Sequence, residues 1–273
     1  MYAKTDPELR GPQRRKLLRI PLFPFETRGL RRAFAQAQPR ISGAPPVIVV
    51  PGLWASDRTM HVLRQYLIKC GYDAQGWGLG RNLAGRGWSG EISDLSEGWA
   101  KDERDRPHQG EANVPALCDQ FAEEVKRRSE ELGRPIALIG WSLGGFLARE
   151  AARDYPDHVS LVITLGSPVI GGPKYSFVNK RYRRRGLDVD WIAEQTINRH
   201  NRLIKCPVTS IYSKHDAIVH WSASIDRWTP HAKHYEVSCT HTAFSFHAPT
   251  FEIIKTELDQ LYAQLQKIHS FKL

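Results

Sequence analysis

An apolar run typical of a strand turns directly into a helical pattern within residues 135–152, PIALIGWSLGGFLAREAA. The turn falls on Gly-Trp-Ser-Leu-Gly at 140–144. A strand-to-helix turn this tight strains the backbone at its tip and leaves almost no space for side chains two positions to either side, which glycine provides. Ser142 stands at the tip, so the pattern predicts a nucleophilic serine on an elbow. The alternative interpretation is a glycine turn with no chemical role.

The chain around this elbow has the pattern of an α/β protein, because short apolar runs alternate with amphipathic segments from residue 45 onward. A helix is expected in DRTMHVLRQYLIKCGY with Asp57 as its N-cap, and another in VPALCDQFAEEVKRRSEELG, stopped by Gly133. Strands separated by helices predict a mostly parallel central sheet with helices on both faces. The predicted strands lie in PPVIVVPG, DAQGWGLGRN, PIALIGW, VSLVITLGSP, CPVTSIYS and HYEVSC.

Three segments depart from this alternation. Residues 1–44 form a basic N-terminal extension, and one domain is predicted over residues 45–273. Residues 84–113 are rich in glycine and charge without a sustained period, which predicts a long loop. Residues 171–205 are too long for a simple connection between strands and include the helical pattern DVDWIAEQTINRHNRL, which predicts a small cap.

The positive charge of the chain is concentrated in two places. The net charge is +10, with the excess in residues 1–40 (Arg14, Arg15, Lys16, Arg19, Arg28, Arg31, Arg32) and in KYSFVNKRYRRR at 174–185. Neither cluster matches a nucleic-acid-binding motif, so a solvated basic tail and face are expected and no nucleic-acid partner. Weak contact with an anionic membrane surface stays open.

The remaining composition indicates a soluble cytoplasmic protein. No run approaches the roughly 18 apolar residues of a membrane span, and the N-terminus lacks the apolar core of a signal peptide. Four cysteines lie far apart without metal-ligand spacing (Cys70, Cys118, Cys206, Cys239). They are expected to be reduced and mostly buried thiols, with no metal site.

A serine nucleophile needs a base, and the base needs an orienting carboxylate. In the architecture predicted here the chain order is serine, then acid, then histidine, each following a strand. Asp216 follows the strand CPVTSIYS, and His241 follows HYEVSC. Because parallel strands end at one edge of a sheet, both loops are expected to reach Ser142.

Other residues compete for these two roles. Asp226 is a second acid, and His215, His220 and His247 are close to the proposed pair in sequence. His215 adjoins the proposed acid and His220 stands where a helix begins, so both are expected at the surface. His247 lies toward the final helix and ranks below His241.

An oxyanion hole needs two backbone N–H groups. The loop VVPGLWAS directly follows the first central strand, where Gly52 allows close backbone approach. The amide of Leu53, or else that of Trp54, is expected to pair with the amide of Leu143. An ordinary turn is the alternative reading of Pro51-Gly52.

Together these segments resemble the α/β-hydrolase superfamily over nearly all of residues 45–270. The resemblance is carried by VIVVPGLWAS, GWSLGG, SKHDAIV and CTHTAFSFH, in this order, and VITLGSP is similar to lipase-like and esterase-like members. It implies a catalytic triad of Ser142, Asp216 and His241 with neither metal nor organic cofactor. The chain departs from the superfamily in reading Pro-Gly where His-Gly is usual, and in having Trp141 before the nucleophile.

The expected activity is hydrolysis of a small-molecule or lipid carboxylic ester through an acyl-enzyme. Trp54 and Trp141 either line an apolar substrate pocket or belong to the core, and Trp77 is expected in core or loop packing. Thioester hydrolysis and acyl transfer use the same triad and stay open. A non-catalytic member that binds a partner through its basic surfaces is a further alternative.

Overall fold

The computed structural model describes residues 9, 11–12, 27–38, 46–99 and 110–270. Within them six strands form one sheet: β1 Pro46–Val50, β2 Asp73–Gly76, β3 Ile136–Trp141, β4 Val159–Leu165, β5 Val208–Tyr212 and β6 Lys233–Glu236. The helices are α1 Leu30–Gln36, α2 His61–Lys69, α3 Asn113–Leu132, α4 Leu143–Asp154, α5 Asn179–Arg184, α6 Val189–Asn198 and α7 Ala248–Ser270.

All strand pairs are parallel, and the strand order is β2-β1-β3-β4-β5-β6. The carboxyl ends of the strands therefore meet at one edge. The loops that follow β1, β3, β5 and β6 leave the sheet at this edge, and they carry the residues that the sequence singled out. The predicted α/β fold is confirmed.

The central strands β1 and β3 are buried on both faces, as apolar strands without polar alternation require. Val47 and Val49 of β1 face one apolar cluster, which includes residues of α2 and α7. Ile48 and Val50 face a second cluster, which includes residues of α3 and α4. Among the described residues, α2 and α7 thus cover one face of the sheet, with Ala33 of α1 in the same cluster, and α3 and α4 cover the other.

The start of α2 differs from its prediction. Its apolar residues Leu63 and Leu67 are fully buried as expected, but the helix begins at His61 and Met60 is its N-cap. The carboxylate of Asp57 instead accepts hydrogen bonds from the amides of Trp77 and Gly78, at 3.0 and 3.2 Å. The predicted N-cap role is wrong because the end of β2 supplies unpaired N–H donors to this carboxylate.

The segment between β4 and β5, predicted as a cap, contains α5 and α6 flanked by two 3₁₀ turns at Gly172–Tyr175 and Arg199–Asn201. The second turn is joined to α4 by buried charges. Arg199 donates to Glu150 at 2.7 Å and to Asp154 at 2.8 Å. The helix that follows the elbow is therefore linked directly to the end of this segment.

The long loop 84–113 is described except for residues 100–109. It contains a 3₁₀ turn at Ile92–Asp94, and Leu95 and Trp99 are buried in the core cluster beside α3. Trp99 donates from its indole nitrogen to Asp119 at 2.9 Å. Most of the basic N-terminal extension, including Arg14, Arg15, Lys16 and Arg19, lies outside the described residues.

The four cysteines are free thiols: Cys70, Cys118 and Cys239 are buried and Cys206 is partly buried. Among the described residues no helix has both the length and the apolarity to cross a bilayer. The same part of the chain contains no cluster of three or more His, Cys, Asp or Glu side chains arranged to hold a metal ion.

Candidate active site

Ser142 occupies a strained turn between β3 and α4. Its φ and ψ angles are 54° and −123°, in a region that side-chain-bearing residues rarely adopt. Its amide donates to the carbonyl of Leu165 at the end of β4, at 2.9 Å. The turn is thus tied to the neighbouring strand, and its half-buried serine lines an open cavity.

The glycines of the elbow are required by close backbone contacts. A Cβ on Gly140 would lie 2.3 Å from the backbone of Gly144, and one on Gly144 would lie 2.3 Å from the carbonyl oxygen of Val50. Both distances are far below van der Waals contact. The G-x-S-x-G spacing therefore has a steric cause in this fold.

The imidazole of His241 and the carboxylate of Asp216 are joined directly. His241 Nδ1 lies 2.6 Å from Asp216 Oδ2, and both side chains are buried. The other carboxylate oxygen accepts from the amides of Ile218 and Val219, at 2.7 and 2.9 Å. With Nδ1–H donated to the carboxylate, Nε2 is left as the proton acceptor.

The backbone of His241 is held by Trp141, the residue before Ser142. The indole Nε1 donates to the His241 carbonyl at 2.9 Å, and the two ring centroids are 5.4 Å apart. Trp141 is therefore a buried bridge between the elbow and the histidine loop. Within the described part of the chain, the Ser142 hydroxyl makes no hydrogen bond to the His241 ring.

The loop after β1 lies against the elbow. A Cβ on Gly52 would stand 3.0 Å from the Cβ of Ser142, so this loop passes beside the serine. In the part of the chain that the structure describes, the amides of Leu53 and Leu143 have no hydrogen-bond partner, whereas the Trp54 amide donates to the Asn82 carbonyl at 2.7 Å. This geometry favours Leu53 over Trp54 as the second amide.

A cavity of about 700 Å³ brings these residues together. Ser142, His241, Leu53 and Leu143 all line it, as do Trp54 and Trp141, whereas Asp216 lies behind the histidine. The segment between β4 and β5, which includes the 3₁₀ turn at Gly172–Tyr175, α5 and α6, supplies much of the remaining wall. A more open depression between β6 and α7 contains neither Ser142 nor His241.

Comparison with known proteins identifies the fold family. The family described as alpha/beta hydrolase fold matches residues 45–195, more than half of the chain. The chain belongs to the α/β-hydrolase fold family. The match includes β1, the elbow and the first part of the segment between β4 and β5.

The relatives of this α/β-hydrolase include named esterases. Two are named pimeloyl-[acyl-carrier protein] methyl ester esterases. The one from Methylococcus capsulatus is 36% identical over 95 residues, which cover 34% of this chain and 35% of that protein. The one from Aliivibrio fischeri is 32% identical over 101 residues, which cover 37% of this chain and 36% of that protein. The chain thus covers only about a third of their length. The crystal structure of the Paleococcus ferrophilus monoacylglycerol lipase shares the fold, with a TM-score of 0.51 and 18% identity over 80% of this chain and 96% of that one.

The alternative acid and histidines occupy other environments in this α/β-hydrolase. Asp226 forms a buried ion pair with Arg149 at 2.5 Å, and His247 pairs with Thr250 at 3.0 Å. His220 was expected at the surface but is buried, because it caps the 3₁₀ turn Trp221–Ser224 through its ring and the Ser222 amide. His215 is half-buried.

The tryptophans divide between the cavity and the core. Trp54 is 51% exposed and has a positive φ of 64°, so it belongs to the cavity wall and not to the core. Trp141 is 8% exposed and serves both as cavity wall and as support for His241. Trp77 is buried, as expected, and its indole nitrogen donates to the Gly80 carbonyl.

Sequence reasoning missed the side chain that holds the loop after β1. Asn82 is fully buried and donates from Nδ2 to the Pro51 carbonyl at 2.9 Å. Its backbone also bonds Trp54 and Ala55, at 2.7 and 2.8 Å. The signal for it was faint: a single asparagine at the end of a weak strand pattern, GLGRN.

Proposed function

We propose that this α/β-hydrolase cleaves carboxylic esters through an acyl-enzyme formed on Ser142, with His241 as general base and Asp216 as its orienting carboxylate. The observation that carries the proposal is one cavity lined both by a strained serine and by a histidine whose Nδ1 lies 2.6 Å from a carboxylate oxygen. Esterases among the relatives support the same reaction class.

In this mechanism His241 Nε2 removes the Ser142 proton while Oγ attacks the ester carbonyl carbon. The amides of Leu53 and Leu143 donate to the oxyanion of the tetrahedral intermediate, which collapses as the protonated histidine returns the proton to the departing alcohol. Water then repeats the sequence on the acyl-enzyme, losing a proton to His241 and releasing the acid. Serine is restored unchanged.

The proposal predicts that Ser142→Ala abolishes turnover of 4-nitrophenyl esters, with a loss in kcat of about 10⁴-fold or more. Retention of the native circular dichroism and melting temperature checks that the fold survives. Ser238→Ala is the matched control, because Ser238 is exposed and lies outside this cavity. Near-normal turnover by the Ser142 variant would refute the assignment.

Ester hydrolysis is preferred to thioester hydrolysis or acyl transfer because both curated relatives are named as methyl ester esterases. All three reactions pass through the same acyl-enzyme, so product analysis separates them. The account predicts free acid from an ester substrate even when an alcohol is added. A faster reaction with an acyl thioester, or transfer of the acyl group to the alcohol, would support the alternative.

Trp54 and Trp141 are proposed as contacts for an apolar acyl group, since both line the cavity beside Ser142. The basic surface of α5 is proposed to give weak contact with anionic membranes. Cosedimentation with vesicles of anionic or zwitterionic lipid tests this contact. Equal binding to both vesicle types would contradict it.

A further inference from the structure

The cavity contains positive charges that the proposed ester chemistry does not use. Arg86, Arg181 and Arg185 all line it, and all three are largely exposed to solvent. Among the residues that the structure describes, none of the three forms an ion pair. Their guanidinium groups are therefore free to donate to a bound molecule.

The basic residues of this segment differ in whether they form ion pairs. Lys174 and Arg183 both form ion pairs with Asp190, at 2.8 Å, and neither lines the cavity. Arg181 and Arg185 line the cavity and have no carboxylate partner in the described part of the chain. Lys180 and Arg184 also lack an ion pair among the described residues but lie outside the lining, so Arg181 and Arg185 are the unpaired basic residues of this segment that a molecule in the cavity could reach.

Arg181 is held at the cavity by a contact with the Trp54 ring that leaves its N–H donors available. Its guanidinium carbon lies 5.3 Å from the centroid of the Trp54 ring. Such a cation–π contact orients an arginine through the face of its guanidinium plane, so the N–H groups at the edge can still bind an oxyanion. The contact also joins α5 to the loop that carries the Leu53 amide.

Among the described residues that line the cavity, Glu111 is the only one with a carboxylate, and this carboxylate already accepts a hydrogen bond. Glu111 is 3% exposed and its Oε1 accepts from the Asp188 amide at 3.0 Å. It is thereby fixed to the start of α6. The described lining therefore has three arginines and one carboxylate among side chains that are otherwise apolar or uncharged and polar.

We propose that the cavity binds esters that carry an anionic oxygen group, a carboxylate or a phosphate, against Arg181 and Arg185. The inference rests on the proposed function and names its substrate class. Arginine suits this task because its planar donors match the geometry of carboxylate and phosphate oxygens. Arg86 adds to the local positive potential.

The test compares ester pairs that differ only in charge. The 4-nitrophenyl monoester of adipic acid is compared with 4-nitrophenyl hexanoate, and 1-hexanoylglycerol 3-phosphate with 1-hexanoylglycerol. Each is measured with the wild type, with the double variant Arg181→Gln/Arg185→Gln and with Arg184→Gln. Arg184 is the matched control because it is an exposed arginine of α5 that does not line the cavity.

The wild type is expected to prefer one anionic ester over its neutral partner. The double variant should raise the KM for that ester roughly two- to fivefold for each arginine removed, with the neutral ester and the Arg184 variant unchanged. High salt should reduce the preference, since exposed charges are screened. A preference within the adipate pair places the anion on the acyl chain, and one within the phosphate pair places it on the alcohol.

An equal effect of Arg184→Gln, or no preference within either pair, would overturn the proposal. Calorimetry measures the binding of monomethyl adipate and methyl hexanoate to the Ser142→Ala protein. Because this measurement needs no turnover, it distinguishes failure of the anion site from failure of the proposed esterase reaction. If monomethyl adipate binds more tightly than methyl hexanoate through the two arginines, but the wild type hydrolyses no ester, the anion site is supported and the proposed esterase activity is rejected. If the wild type hydrolyses neutral esters but monomethyl adipate shows no such preference in binding, the esterase activity is supported and the anion site is rejected.

Discussion

At the scale of single residues, the site depends on side chains that hold backbone in place. The side chain of Asn82 holds the loop after β1 by donating a hydrogen bond to the Pro51 carbonyl. Trp141 fixes the backbone of His241. Neither group touches the reacting atoms in the proposed mechanism, yet each sets the position of one that does. Positioning errors of about 1 Å are enough to cost a large factor in rate.

Asn82→Ala is predicted to lower kcat by roughly 10- to 100-fold with little change in KM, because in the proposed mechanism the Leu53 amide acts on the transition state and not on the bound ester. The affinity for a trifluoromethyl ketone, which mimics the oxyanion, should fall in parallel.

A loss of stability alone would not give this pattern. Thr209→Val is the control, since it removes a buried hydrogen bond to Glu257 away from the cavity and should lower the melting temperature without changing kcat. A rise in KM at constant kcat for the Asn82 variant would contradict the positioning role.

At the scale of elements, α4 is joined to the chain after α6 by buried charges and one neutral histidine. Arg153 of α4 contacts His200 Nδ1 at 2.6 Å, and the His200 ring stacks on Trp228 with centroids 4.0 Å apart. An arginine can only donate, so Nδ1 must be unprotonated. Burial, followed by the charges of Arg153 and Arg149, lowers the pKa of His200 to about 3.

This low pKa predicts a loss of stability in mild acid. The unfolded chain binds a proton at His200 as the pH falls through about 6.5, while the folded protein does not until about 3. The contribution of the neutral His200 ring to the free energy of unfolding is therefore present above about pH 6.5 and is lost progressively as the pH falls from 6.5 toward about 3. The free energy of unfolding should fall by roughly 2 kcal/mol from this residue between pH 7 and pH 5.

Urea unfolding of His200→Gln at both pH values checks this prediction. The pH dependence should be weaker than in the wild type, and His231→Gln, which changes an exposed histidine, should leave it unaltered. A His200 variant with the full wild-type dependence would show that the ring does not govern stability in this range.

At the scale of the whole molecule, the parts that the sequence predicts are those set by local pattern. Alternating strands and helices imply the parallel sheet, and a parallel sheet brings the loops after β3, β5 and β6 to one edge. The contact between His241 and Asp216 follows from that topology. The glycine at 140 could be explained in advance because its close approach to Gly144 occurs within one strand-turn-helix unit, whereas the contact of Gly144 with Val50 of β1 depends on how the strands assemble.

The parts that the sequence did not reveal depend on which distant groups meet. Asp57 was expected to cap its own helix but accepts from amides about twenty residues away. His220 was expected in solvent but is enclosed by the turn it caps. The pairing of Asp190 with Lys174 and Arg183 likewise depends on how the 3₁₀ turn at Gly172–Tyr175 and α5 pack against α6. No local spacing encodes these contacts.

The central claim is that Ser142 is a nucleophile activated by His241, and covalent labelling tests it most directly. Wild-type protein treated with a fluorophosphonate is digested, and the adduct is located by mass spectrometry, with rates compared for His241→Ala and for His215→Gln. The account predicts one adduct, on Ser142, formed at least about 1000-fold more slowly in the His241 variant and at the normal rate in the His215 variant. An adduct on another serine, or equal labelling rates with and without the His241 imidazole, would contradict it.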